Sequence, residues 1–150
     1  MKKLFVFLRS DLASMSPGKA AAQVAHAASQ AAWLNMVHEK TTPWYVEWAN
    51  SALRCIGVRK YPDEHYIGFG TTIVLDAGTG EQMDRTISKL LLMVNNGMCG
   101  TVVDPTYPVR DGTVTHAIDI PTCGWLLYEG GDTDIDLILK EHKLYNGNNV

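Results

Sequence analysis

Leu4-Phe5-Val6-Phe7-Leu8-Arg9-Ser10-Asp11, followed by Ser16-Pro17-Gly18-Lys19-Ala20-Ala21-Ala22-Gln23, reads as a buried strand passing through a loop into a helix. Five consecutive apolar residues suit a strand covered on both faces of a sheet. Ser16 is a suitable N-cap, and Pro17 falls at the first helical position, where its missing N–H costs nothing. Alanine dominates from there to His38, and Thr41, Thr42 and Pro43 then break the helix. A strand leading directly into a long helix is the opening of an α/β fold.

The β-branched run at residues 71–75 predicts a second strand, and Asp76-Ala77-Gly78 a turn. Thr79 and Gln82 have capping-box spacing for a helix whose apolar face is Met83, Ile87, Leu90, Leu91 and Val94. Asn96-Gly97 ends that helix. Residues 99–103 predict a third strand stopping at Asp104, with Pro105-Thr106-Tyr107-Pro108 as loop. Residues 113–119 predict a fourth strand and 124–128 a fifth, shorter one. Thr133 and Asp136 suggest the cap of a last helix carrying Ile135, Ile138, Leu139 and His142. The expected architecture is one domain over residues 1–150, a three-layer α/β/α arrangement around a mixed, mainly parallel sheet of four to five strands. Residues 44–70 resist assignment, and the tail at 146–150 has nothing to bury and is expected to be mobile.

The chain of 150 residues is 46% hydrophobic and 19% charged, the balance of a globular domain with its own core. The apolar run at residues 4–8 is too short for a signal-peptide core or a membrane span. Cys55, Cys99 and Cys123 are odd in number and widely spaced, which points to a reduced, cytoplasmic setting. The net charge of −3 conceals an asymmetry: residues 1–60 hold eight Lys and Arg against three acids. That half is able to meet phosphates, although scattered surface charge would look the same.

On the long helix Lys19, Gln23 and His26 stand at i, i+4 and i+7 and share one face, which Ser29 and Gln30 continue. Such a stripe is ordinarily the solvent face of an amphipathic helix. Lys19, however, lies in the first turn, where the helix dipole disfavours a cation unless an anion sits beside it. Asp104 ends an apolar strand, the place where open α/β sheets bind ligands, although an Asx turn ahead of Pro105 would use the same residue. Thr113 follows Gly112 at the start of the next predicted strand. The five histidines and Asp104 lack metal-ligand spacing, so no metal is expected. No Gly-x-Ser-x-Gly elbow is present, and Gly18-Lys19 lacks the glycine and the Ser or Thr of a P-loop.

Arg9-Ser10-Asp11-Leu12, Met15, Gly18-Lys19-Ala20-Ala21-Ala22-Gln23 and His26-Ala27 together resemble the N-terminal signature of type 2 peptidyl-tRNA hydrolases. Leu139-Lys140-Glu141-His142-Lys143-Leu144-Tyr145 is similar to that family's closing H-L-K-L-Y segment, Val102-Val103-Asp104 to its strand-end aspartate, and Gly112-Thr113-Val114-Thr115 to its G-T-x-T strand. The resemblance spans about residues 4–40 and 71–145. The loop from Asp11 to Met15 is one residue longer than the family pattern. Asp104-Pro105-Thr106-Tyr107-Pro108 replaces the family's D-A-G-R-T, and the segments at 44–70 and 120–131 are extended.

The resemblance implies hydrolysis of the ester between a peptide and its tRNA, without a metal or organic cofactor, by a protein that commonly forms homodimers. It carries catalytic positions onto Lys19, His26, Asp104 and Thr113, and substrate contacts onto Arg9, Gly18, Gln23 and Thr106. Asp104 is expected to orient or deprotonate water with Thr113 as relay, and Lys19 to meet the oxyanion or a phosphate. Gln23 is expected to position the ester and His26 to carry a proton or support the site. The competing reading is a non-catalytic RNA- or protein-binding module on the same scaffold.

Overall fold

The computed structural model describes residues 2–38, 48, 70–95 and 97–147. The expected extension at 44–70 therefore lies outside the described residues except for Trp48 and Gly70, as does the tail from 148 onward. The elements run β1 (Lys3–Arg9), α1 (Pro17–His38), β2 (Thr71–Gly78), α2 (Gly80–Met93), β3 (Gly97–Asp111), β4 (Val114–Tyr128) and α3 (Thr133–Glu141). The four strands form one mixed sheet in the order β2-β1-β4-β3.

Among the described residues only β1 and β2 pair in parallel; β4 is antiparallel to both β1 and β3. The sheet is thus mixed as expected, but not mainly parallel. A parallel pair needs a long crossover, and only the span containing α1 supplies one between paired strands. β3 and β4 are instead joined through Gly112-Thr113, with Gly112 at φ +58°, so they form a hairpin. The predicted fourth and fifth strands are two parts of β4. β3 likewise runs on past Asp104, through residues read as loop from their prolines. Pro105 and Pro108 are tolerated because β3 is an edge strand, where a missing ladder N–H does no harm.

β1 fills the centre as its unbroken apolar run predicts, and its side chains alternate between two clusters. Leu4, Val6 and Leu8 pack with Trp125, Leu127 and the α1 alanines Ala20, Ala27 and Ala31. Phe7 packs with Met83, Ile87 and Leu90 of α2 and with Ile135 of α3. Period-two alternation sends these sets to opposite faces of the sheet. The small alanines let α1 lie close to the strands, and Trp48 joins the same cluster while donating its indole N–H to the Thr71 carbonyl at 2.9 Å.

Local signals hold in detail with two corrections. Ser16 Oγ receives the Lys19 amide at 3.4 Å, and Thr79 with Gln82 forms the reciprocal capping box. Leu91, by contrast, is exposed and Leu90 carries the buried face of α2. The cap of α3 is Asp132, whose carboxylate accepts from the Asp134 and Ile135 amides, because its extended backbone precedes the helix. The closing segment seals the edge of β2: Leu144 bridges Leu75, and the Tyr145 amide donates to the Val74 carbonyl. His142 Nδ1 lies 2.9 Å from the Asp76 carbonyl, which can only accept, so that nitrogen carries the proton.

Candidate functional site

Of the polar stripe of α1, Gln23 turns inward, while His26 and Ser29 stay exposed. Gln23 is only 3% exposed, lying along the same side as Ala20, Ala27 and Ala31, so it is not on a solvent face. Its Nε2 donates to Asp104 Oδ2 at 2.7 Å, and its Oε1 accepts from Thr122 Oγ1 at 2.5 Å. Thr122, Gln23 and Asp104 thereby form a directed relay ending on a carboxylate. The other Asp104 oxygen accepts from the Thr106 amide at 3.0 Å and from the Thr106 hydroxyl at 3.4 Å. A buried amide fixed at both ends holds that carboxylate in one orientation.

Thr122 reaches α1 because of a register slip. Val102 is opposite Cys123 and Val103 opposite Pro121, leaving Thr122 as the extra residue of a bulge. Adjacent residues of a regular strand face opposite ways. Here Thr122 meets the Gln23 side chain and Cys123 Sγ lies 3.5 Å from the Gln23 carbonyl, so both face the helix.

Asp104, Pro105, Thr106, Val103, His26 and Gln30 line a cleft of about 430 Å³. His26 is exposed on its rim, one turn along α1 from Gln23. Gln30 Oε1 accepts the Trp125 indole N–H at 2.6 Å, which ties the far side of the cleft to β4. Burial pushes the Asp104 carboxyl up, but hydrogen bonds from the Thr106 amide, Gln23 and the Thr106 hydroxyl, with the charge of His26, outweigh it. The carboxyl titrates below its ordinary value and is ionised at neutral pH. Burial holds the Cys123 thiol up at about 12 and that of Cys99 at about 11, so neither supplies a thiolate nucleophile. Among the described residues no cluster of three or more His, Cys, Asp or Glu could hold a metal ion.

Gln23, His26, Asp104 and Thr106 are thus brought together. Lys19 is not among the residues lining the cleft; one turn before Gln23 on α1, its Nζ lies 5.2 Å from the centroid of the Tyr107 ring. Gly18 is exposed at the start of α1, with open space where a side chain would be. Arg9 is not directed at the cleft: it forms a fork with Asp11 and donates Nη1 to the Pro121 carbonyl at 2.8 Å. Thr113 lies in the exposed β3–β4 turn, about 20 Å along the strand from the Asp104 level. The hairpin's length carries it away, and the hydroxyls that reach the Gln23–Asp104 pair among the described residues are those of Thr122 and Thr106. Pro121 was the available signal, since a proline within a strand marks a bulge or an unpaired side.

Thr122→Val deletes that hydroxyl at nearly constant volume and strands the Gln23 carbonyl oxygen. It is expected to cost about 1–3 kcal/mol in denaturant unfolding. Thr113→Ala, at an exposed turn, is expected to stay within about 0.5 kcal/mol. Equal effects would contradict the reassignment.

A comparison with protein families matches the model of Peptidyl-tRNA hydrolase PTH2 over residues 2–67, just under half of the chain. The match is consistent with a member of that family. It takes in β1, α1 and with them Lys19, Gln23 and His26, while Asp104 and Thr122 lie beyond it. No curated protein matches the chain.

Proposed function

We propose that this chain, with the type 2 peptidyl-tRNA hydrolase pattern in its N-terminal part, hydrolyses the ester joining a peptide to the terminal ribose of tRNA. The observation that carries the reading is the Thr122–Gln23–Asp104 relay, which aims an ionised carboxylate into a cleft rimmed by His26. In this proposal a water held by Asp104 attacks the ester carbonyl, the carbonyl–ribose C–O bond breaks, and the ribose oxygen leaves with a proton. Asp104 orients that water and takes up its proton as attack proceeds, and His26 is the side chain placed to return one to the leaving oxygen. Gln23 acts by fixing Asp104 rather than by holding the ester.

Lys19, near the N-terminus of α1 and beside the aromatic face of Tyr107, supplies positive charge for a terminal phosphate. The family pattern extends the proposal to a homodimer working in the cytoplasm without a cofactor. Among the described residues no helix is long and apolar enough to cross a membrane. A second reading is favoured by Asp104 itself: a carboxyl held below its ordinary range is a weak base, and binding ribose hydroxyls would use the same geometry.

The direct test is release of free tRNA from purified peptidyl-tRNA, run with and without a chelator. Turnover in both is the expected result. Binding without turnover would establish the binding module, and turnover lost to the chelator and restored by a divalent ion would require a metal-bound water.

Phosphate contacts make a further expectation. Binding of tRNA weakens steeply with salt as counterions are released, and Lys19→Ala lowers the magnitude of the log–log salt slope by about one. Lys140→Ala, on the exposed last turn of α3, leaves the slope unchanged. Equal losses from both variants would show that no local basic face exists.

A further inference from the structure

Arg9 is only 12% exposed, yet none of its bonds is spent on the cleft. Its Nε and Nη2 each donate to one oxygen of Asp11 at 2.8 Å, and Nη1 donates to the Pro121 carbonyl, also at 2.8 Å. Asp11 Oδ2 in turn accepts the first amide of α2, Gly80 N, at 3.4 Å. A Cβ added at Gly80 would fall 2.8 Å from Arg9 Cζ, so the guanidinium lies flush against the helix start. A cation there is unfavourable alone, and the Asp11 carboxylate compensates it. Three elements meet at this clip: the end of β1, the start of α2, and β4 one residue before Thr122.

That last point lies where the backbone ladder of the sheet is interrupted. The β1–β4 ladder ends at Leu8 opposite Cys123, Pro121 has no N–H to give, and Thr122 has no partner across β3. Backbone pairing therefore does little to keep Thr122 bulged toward α1. Straightening the bulge would turn the Thr122 hydroxyl to the other face and release Gln23.

We propose that Arg9, braced by Asp11, is a positioning residue: by gripping the Pro121 carbonyl it holds the Thr122 bulge, and through Thr122 and Gln23 it sets the orientation of Asp104. Only the activity part of its test rests on the hydrolase reading. The role requires the guanidinium fork, because three acceptors in two directions exceed what a lysine ammonium serves from one atom.

The test is Arg9→Lys in the full chain, read first by NMR on the Gln23 side-chain amide. Its N–H exchange is expected to accelerate by about tenfold or more. Thr122→Ala gives the same change, and the double variant adds nothing to it. In the peptidyl-tRNA assay kcat falls by about tenfold with KM little changed, and that loss vanishes in the Thr122→Ala background. Gln82→Ala, which opens the α2 capping box, is the control that lowers the thermal midpoint without moving the Gln23 signal. Should Arg9→Lys fail to fold, Asp11→Asn removes the brace and is expected to act in the same direction.

An unchanged Gln23 signal in the Arg9 or Asp11 variant, or losses that add to those of Thr122→Ala, would overturn the proposal. The NMR measurement stands even if the wild-type chain proves inactive, so failure of the hydrolase reading and failure of the clip are separate results.

Discussion

Asp104→Asn is expected to lower peptidyl-tRNA turnover by about two to four orders of magnitude, the scale of a general-base contribution. Asparagine offers one acceptor and one donor where the carboxylate offers two acceptors. The Thr106 amide needs the acceptor, so the new NH₂ faces Gln23. Gln23 accommodates this by turning its amide over, because the Thr122 hydroxyl accepts as readily as it donates. The relay then runs in reverse with every group satisfied, and the thermal midpoint should shift little. What disappears is the charge and the basicity.

The sign of the pH effect follows from the same bonds. Asp104 titrates below its ordinary value in the folded chain, so its contribution to rate and stability is present above the unfolded carboxyl pKa. That contribution is lost only as pH falls through the lower folded value. The wild-type rate should therefore stay level through mildly acidic pH as far as Asp104 is concerned. A stable Asp104→Asn protein with near-normal turnover would remove Asp104 from the chemistry and leave the binding module.

Gln23→Leu is expected to have the second-largest effect, and it acts on stability and rate together. The leucine fits the alanine-lined side of α1 but leaves Asp104 Oδ2 and the Thr122 hydroxyl without their shared partner. Removing the buried amide between the half-buried Asp104 carboxylate and the buried Thr122 hydroxyl is expected to cost about 1–3 kcal/mol, seen as a lower denaturant midpoint. Turnover should fall by about 100-fold, because a carboxylate held only by Thr106 no longer keeps its geometry toward the cleft. Losing the Gln23 bond also removes one of the interactions that lower the Asp104 carboxyl, so the acid limb of the rate profile moves to higher pH. A midpoint loss with turnover intact would make Gln23 a packing residue only.

Features set by neighbouring residues were legible along the chain. Residues 4–8 become a central strand because an unbroken apolar run must be covered on both faces. Ser16 and Pro17 open α1, and Thr79 with Gln82 opens α2, because caps satisfy amides only one turn away. The candidate status of Gln23, His26 and Asp104 was legible from helical spacing, a strand end and a resemblance carried by contiguous motifs.

Other features depend on pairing between distant segments. Prolines at 105 and 108 read as loop until β3 is known to be an edge strand, since the cost of a proline depends on which side of it another strand lies. The same hairpin pairing puts Thr113 in an exposed turn and brings the Thr122 hydroxyl to Gln23. Arg9 looked available to phosphate until folding delivered Pro121, 112 residues away, to its third N–H. Burial of Gln23, too, depended on which side of α1 the sheet would cover. A 3.6-residue period groups side chains on one side of a helix, but only packing determines whether that side meets water or protein.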